Sequence, residues 1–224
     1  MEKEIDYKTL YDLQDEILQI VSKLDNAFYL TGGTALHRFY YNDRYSDDLD
    51  FFVTNGDNFN EDIHEIIDIL QEYNYDVEEN VKSRDFYRLT VNTLLQLDFV
   101  NDRVFRYKKS NIIKNIRVDN KINILTNKIN TIINRDEEKD IFDLFCFAYK
   151  ESFNWGEALE IANKKAVVEK DILIYRLKSF PLKWLDRIKK INTITITKND
   201  INILCEDILN DSDNSLKINI KDSI

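Results

Sequence analysis

The residues best suited to chemistry lie in two short stretches, Phe28-Tyr29-Leu30-Thr31-Gly32-Gly33-Thr34-Ala35-Leu36 and Ser46-Asp47-Asp48-Leu49-Asp50-Phe51-Phe52-Val53. On a strand, Asp48 and Asp50 leave one face while Leu49 and Phe51 point to the other. Two neighbouring carboxylates repel unless a cation sits between them, and a hard divalent ion bound through oxygen, Mg²⁺ above all, meets that need. Gly32 and Gly33 suit an abrupt turn from strand to helix, because they remove the resistance of side chains to the required backbone angles. A helix opening there presents unpaired N–H groups to phosphate oxygens, with Thr34 able to cap it or touch a phosphate through its hydroxyl. A third acid, Asp98, interrupts the apolar run Leu94-Leu95-Gln96-Leu97-Asp98-Phe99-Val100. A lone carboxylate in a buried strand is costly unless paired or metal-bound. If that strand lies beside the one carrying Asp48 and Asp50, three carboxylates converge.

Such groups need a sheet to hold them, and the spacing of apolar residues predicts one. An amphipathic helix is expected within residues 1–25, from Leu10, Leu13, Ile17, Ile20, Val21 and Leu24. Strands are expected over 28–30, 49–53, 75–81, 86–91 and along the Asp98 run, with helices over 35–41 and 61–73. From residue 121 the pattern turns helical: a face of Ile122, Leu125, Ile129, Ile132 and Ile133, then helices over 139–149, 155–165, 170–177, 181–191 and 198–209, with a small strand over 193–197. Residues 211–224 read as a polar, frayed end. The fold class is therefore α/β (α+β), a mixed sheet over residues 1–118 followed by a C-terminal helical bundle over 119–224.

Composition narrows the function. The 224 residues are 43% hydrophobic, enough for one large core or two modest ones, and the net charge is −10 with the acidic excess in the first half. That argues against a protein that coats nucleic acid, although Arg103, Arg106, Lys108, Lys109, Lys114 and Arg117 form an acid-free run interleaved with Phe105 and Tyr107. The run suits phosphate contact with base stacking, or else is a solvated linker. Cys146 and Cys205 sit in apolar helical patterns as buried thiols, which fits a reducing cytoplasm. His37 and His64 lack ligand-spaced partners, so no zinc is expected, and no apolar run is long enough to cross a bilayer.

Three acids and a phosphate-holding turn are what a two-metal nucleotidyl transfer needs. Here the sequence resembles the nucleotidyltransferase superfamily of DNA polymerase β. More narrowly, Thr31-Gly32-Gly33-Thr34-Ala35-Leu36 with Arg44-x-Ser46-x-Asp48-Leu49-Asp50-Phe51 resembles the AbiEii/AbiGii toxin family, supported by Lys128, Arg135 and Lys139-Asp140-Ile141-Phe142-Asp143-Leu144. The resemblance implies that Asp48 and Asp50 bind two Mg²⁺ ions, or Mn²⁺ in their place, and that Asp98 completes the site and helps deprotonate an acceptor hydroxyl. Gly32, Gly33, Thr34, Arg44, Ser46 and Lys128 would hold the nucleotide, while Asp140 and Asp143 orient Lys128 or the acceptor. The helical domain would then complete the active-site cleft. The sequence departs from the family where Ile132 stands in place of a second lysine, and Arg84-Asp85-Phe86-Tyr87-Arg88-Leu89-Thr90 echoes the intervening motif only faintly.

The resemblance implies transfer of NMP from an NTP to a hydroxyl of RNA, such as a tRNA end, or of a protein side chain. Its setting would be a cytoplasmic toxin of a toxin–antitoxin or phage-defence pair with a cognate antitoxin. Two other readings compete: a non-catalytic module that binds RNA or a partner through residues 103–117, and a phosphohydrolase, which explains the glycine turn less well. Each site residue also has a plain competitor. Asp-x-Asp pairs are usually solvated, Lys128 could be a surface helical lysine, Asp140 and Asp143 could pair locally, and Arg44 and Ser46 could simply brace their loop.

Overall fold

A computed structural model describes residues 5–217, and within it the chain divides into two compact units. The first takes the chain up to Tyr40 together with Tyr45–Val104 and Lys108–Asn120. The second takes Tyr41–Arg44, Phe105–Tyr107 and the chain from Lys121 onward.

In the first unit, β1 (Tyr29–Thr31), β2 (Asp48–Thr54), β3 (Val77–Lys82), β4 (Phe86–Val91), β5 (Leu95–Asp102), β6 (Asn111–Ile113) and β7 (Ile116–Val118) form one mixed sheet in the order β3-β4-β5-β2-β1-β7-β6. The β2–β5 and β1–β7 pairs are parallel and the others antiparallel. Three helices complete the unit: α1 (Tyr7–Lys23), α2 (Gly32–Leu36), which runs on into a π-helical turn, His37–Tyr41, and α3 (Phe59–Glu72).

Strand alternation sorts the sheet into two faces. Leu49, Phe51, Val53, Tyr87, Leu89, Val91, Leu95, Leu97 and Phe99 are buried on one of them. There Phe51 stacks on Phe99, Phe28 sets its edge against Phe99, and Phe59 of α3 packs edge-on against both Phe28 and Tyr87. Helix α1 turns Leu10, Leu13, Ile17, Leu18 and Val21 inward, and α3 does the same with Ile63, Ile66, Ile67 and Leu70. Removal of this apolar area from water is the main stabilising term of the unit.

The β6–β7 hairpin was not expected from sequence and lies inside the basic run. Its strands are three residues each, and its turn is Lys114-Asn115, both at positive φ (51° and 65°). That is the backbone of a two-residue hairpin loop, written without the Asn-Gly pair that would have announced it.

The second unit contains α4 (Lys121–Asn134), α5 (Glu138–Lys150), α6 (Trp155–Asn163), α7 (Lys170–Ser179) and α8 (Lys198–Leu209). Helix α5 is central, with every residue from Asp140 to Tyr149 buried, and α8 opens on a reciprocal cap between Thr197 and Asp200. The helix expected over 181–191 is only a 3₁₀ segment, Leu182–Arg187. Leu182, Leu185 and Ile188 recur every third residue, the period of a 3₁₀ turn rather than an α-helix. No strand forms over 193–197. The end expected to fray is tied down as far as Lys217: Asn214 donates to the carbonyls of Ala148 and Glu151, Ser215 bonds to Asp207, and Leu216 is buried. The rest of that expectation, residues 218–224, lies outside the described residues.

Truncation of Leu97, fully buried in β5, should cost about 2–5 kcal/mol because surrounding side chains fill such a hole only in part. Urea denaturation of Leu97→Ala should show a lower midpoint with an unchanged slope.

Candidate active site

The buried residues of the sheet leave a second, half-buried face on which polar side chains line up across strands. Thr31 of β1 stands opposite Asp50 of β2, Asp50 opposite Asp98 of β5, and Asp98 opposite Arg88 of β4. Asp48, Gln96 and Thr90 make a parallel row one step along. Paired residues on adjacent strands share a face, so Asp48, Asp50 and Asp98 are neighbours on one side of the sheet.

The glycine turn meets this row directly. Gly32 has φ +71°, and a Cβ added to it would lie 2.2 Å from Asp50 Oδ2. Both the left-handed backbone and the approach of the carboxylate require glycine here. Gly33 has no such backbone demand and is a buried residue of α2. Thr34 is not the cap: that position belongs to Thr31, whose hydroxyl donates to Asp119 Oδ2 at 3.0 Å. Thr34 lies inside α2 and donates its hydroxyl to the Asp48 carbonyl at 2.5 Å, fastening the turn to the strand of acids.

Asp98 is clasped by a residue that the sequence reading left out of the site. Arg88 Nε donates to Asp98 Oδ1 at 2.8 Å and Arg88 Nη2 to Oδ2 at 2.7 Å, a two-toothed fork, with Gln96 Nε2 at 3.4 Å from Oδ2. The bond to Asp98 holds the Arg88 guanidinium above its ordinary pKa, burial opposes this, and the charges of Asp98, Asp48 and Asp50 add smaller contributions to the rise. The hairpin register was the available signal, since a turn after Val91 sets Arg88 opposite Asp98.

The donor chemistry fits a hard divalent cation: the carboxylates are oxygen donors, and Asp50 leans over a bare glycine. Among the described residues, however, no group of three or more His, Cys, Asp or Glu is gathered to hold a metal ion. Asp98 is turned to Arg88 instead.

Ser46 is held through its backbone, its N–H donating to Tyr11 Oη at 3.1 Å and its carbonyl accepting from Gln14 Nε2 at 3.0 Å. The remaining predicted residues belong to the second unit, where they form a buried charge network. Lys128 Nζ lies 2.8 Å from Asp140 Oδ1 and 2.6 Å from Asp143 Oδ2. Arg44 forks onto Asp143 at 2.7 and 2.8 Å, and Arg135 Nε reaches Asp140 Oδ2 at 2.7 Å. Asp140 and Asp143 both pair with Lys128, while Arg44, only 2% exposed, pairs with Asp143. Lys128 is no surface lysine: burial works against its charge, but Asp143 and Asp140 outweigh this and raise its pKa. For Asp140 burial pushes upward, and Lys128 and Arg135 pull the value below the ordinary carboxylate range.

The basic run is partly structural. Arg103 pairs with Asp85, and Arg117 donates to the Phe28 and Asn26 carbonyls, while Lys108, Lys109 and Lys114 are exposed. Both cysteines are free and buried. Among the described residues no helix is long and apolar enough to cross a membrane.

Gly32→Ala should lose more than the roughly 1–2 kcal/mol that a left-handed Cβ costs, since the methyl must also displace the Asp50 carboxylate. Equilibrium denaturation would measure this. Lys128→Met should cost about 3–5 kcal/mol by leaving two buried carboxylates undercompensated. The depressed Asp140 stabilises the fold above the ordinary carboxylate pKa and loses that effect as pH falls through its folded value. The raised Lys128 stabilises below the ordinary lysine pKa and loses that effect as pH rises through its own. The gap in melting temperature between wild type and Lys128→Met should therefore be widest near neutrality and close toward both extremes.

Comparison with known proteins accords with this geometry. The family model of the nucleotidyl transferase AbiEii toxin, type IV TA system, matches residues 16–200. Among curated proteins, no sequence matches the chain. A crystal structure from H. pylori, of a protein assigned as a nucleotidyltransferase, has a TM-score of 0.51 and 20% identity, covering 83% of this chain and 81% of that one. JHP933 from Helicobacter pylori gives 0.49 and 20%, covering 82% and 78%, and the nucleotidyltransferase toxin MenT4 from Mycobacterium tuberculosis H37Rv gives 0.47 and 17%, covering 86% and 70%. With the glycine turn set against Asp50 and the acids in neighbouring register, the family match leads to one conclusion: this chain belongs to the AbiEii family of nucleotidyltransferase toxins.

Proposed function

We propose that the protein transfers NMP from an NTP to a hydroxyl on RNA, a tRNA end being the favoured acceptor and a protein side chain the alternative. The observation that carries this reading is the register Asp50↔Asp98 on the face where Gly32 meets Asp50.

Asp48 and Asp50 are the residues to hold a divalent ion, Mg²⁺ or Mn²⁺, with Asp98 as the third ligand. Such an ion, when bound, lowers the pKa of an acceptor hydroxyl and carries charge of the triphosphate. On this reading Asp98 helps take the hydroxyl proton. Gly32 and Gly33 offer backbone N–H groups to the β- and γ-phosphates, while Thr34 keeps the turn fastened to β2. Lys128 offsets triphosphate charge, with Asp140 and Asp143 fixing its orientation. Ser46, held by Tyr11 and Gln14, braces the loop leading into β2 and bears on the nucleotide through that loop. The activity would stop growth from within the cytoplasm, as in phage defence, and a cognate antitoxin would hold it in check.

Purified protein supplied with Mg²⁺, labelled NTPs and total RNA should label RNA and release pyrophosphate, and Asp48→Ala should abolish both. Absence of label on RNA and on protein with each of the four NTPs would overturn the proposal. Label on protein alone would overturn the RNA acceptor and leave the transfer standing.

A further inference from the structure

The sheet face that carries the acids also carries their neutralising charge. Arg88 and Asp98 stand directly opposite each other on β4 and β5, so their pairing is built into the hairpin and does not depend on a chance rotamer of a distant chain. The fork engages both oxygens of Asp98, at 2.8 and 2.7 Å. A divalent ion taking Asp98 as a ligand needs one of those oxygens, and a guanidinium kept beside a doubly charged ion is repelled by it. Charge repulsion therefore sets the metal bond and the full fork in competition.

The clasp can also open. The Arg88 side chain is 38% exposed whereas that of Asp98 is 12%, so the arginine has solvent to swing into and the carboxylate does not. Beside it on the same face, the Phe86 ring lies 5.6 Å from the guanidinium carbon, an apolar surface along which the side chain can move while staying charged.

We propose that Arg88 is a positioning residue that competes with the divalent cation for Asp98. It clasps the third carboxylate while no metal is bound and releases it when the metal takes an oxygen. This rests on the reading of Asp48, Asp50 and Asp98 as metal-binding carboxylates. The guanidinium thereby relieves repulsion among the acids in the metal-free protein, and it makes completion of the site conditional on metal.

The test is Mn²⁺ binding to the full chain without nucleotide, read from loss of the free Mn²⁺ paramagnetic resonance signal, with circular dichroism to confirm folding. Arg88→Gln removes the competing charge and should tighten Mn²⁺ binding by about fivefold, the equivalent of a partly exposed ion pair. Arg88→Lys, which keeps a charge and loses the fork, should fall between. Adding Asp98→Asn to Arg88→Gln should erase the gain. Unchanged or weaker binding in folded Arg88→Gln overturns the exchange, and so does a gain that persists with Asp98→Asn, since charge alone would then explain it. If Arg88→Gln does not fold, Arg88→Lys decides in the same way. Asp50→Asn separates the two levels: if it weakens binding while the Arg88 variants change nothing, only the exchange falls. If Asp50→Asn leaves Mn²⁺ binding intact, the carboxylate site falls and the exchange with it.

Discussion

Carboxylates crowded on one face of a sheet must be neutralised, and that constraint organises the first unit. Asp48, Asp50 and Asp98 lie on neighbouring positions of β2 and β5, on the polar side of strands whose other side is a packed aromatic core. None of these strands can rotate to separate its acids without exposing Leu49, Phe51, Leu97 or Phe99. Burial on one face therefore enforces charge proximity on the other, and Arg88 supplies the opposing charge within the sheet itself.

The glycine turn is the second consequence of that crowding. Asp50 can lean toward β1 only because Gly32 lacks a Cβ, and Thr34 ties the same turn back to the Asp48 carbonyl. Strand, turn and acid are thus one mechanical piece. The phosphate contact proposed for this turn would rest on its local N–H groups more than on a helix dipole, because α2 is only five residues long before the π-helical turn begins.

The second unit meets a related problem with a different balance. Two buried carboxylates on α5, Asp140 and Asp143, are shared among Lys128, Arg44 and Arg135. Removing Lys128 or Arg44 would leave charge in the interior, which explains how a helix buried along most of its length can carry two acids. A surface lysine at 128 and local pairing of the acids are both readings the bare sequence allows. The first fails because burial cannot be seen from spacing alone, while the second holds for Asp140, which pairs with Arg135 as well as with Lys128.

The sequence by itself determined the alternation that puts Asp48 and Asp50 on one face, the turn at Gly32, the helices whose apolar faces repeat at the α-helical period, and the family resemblance. These are local matters, set by neighbours in the chain and by steric limits on the backbone. It did not reveal the β6–β7 hairpin, whose turn lacks the usual glycine, nor the 3₁₀ segment at Leu182–Arg187 with its three-residue repeat. Only the tertiary structure decided that β5 lies parallel to β2 with Asp98 opposite Asp50, that Arg88 clasps Asp98, and that Arg44 is spent on Asp143. Those outcomes depend on strand order and on pairing between residues far apart in the chain, and such pairing is fixed by which arrangement buries the most apolar surface without stranding a charge.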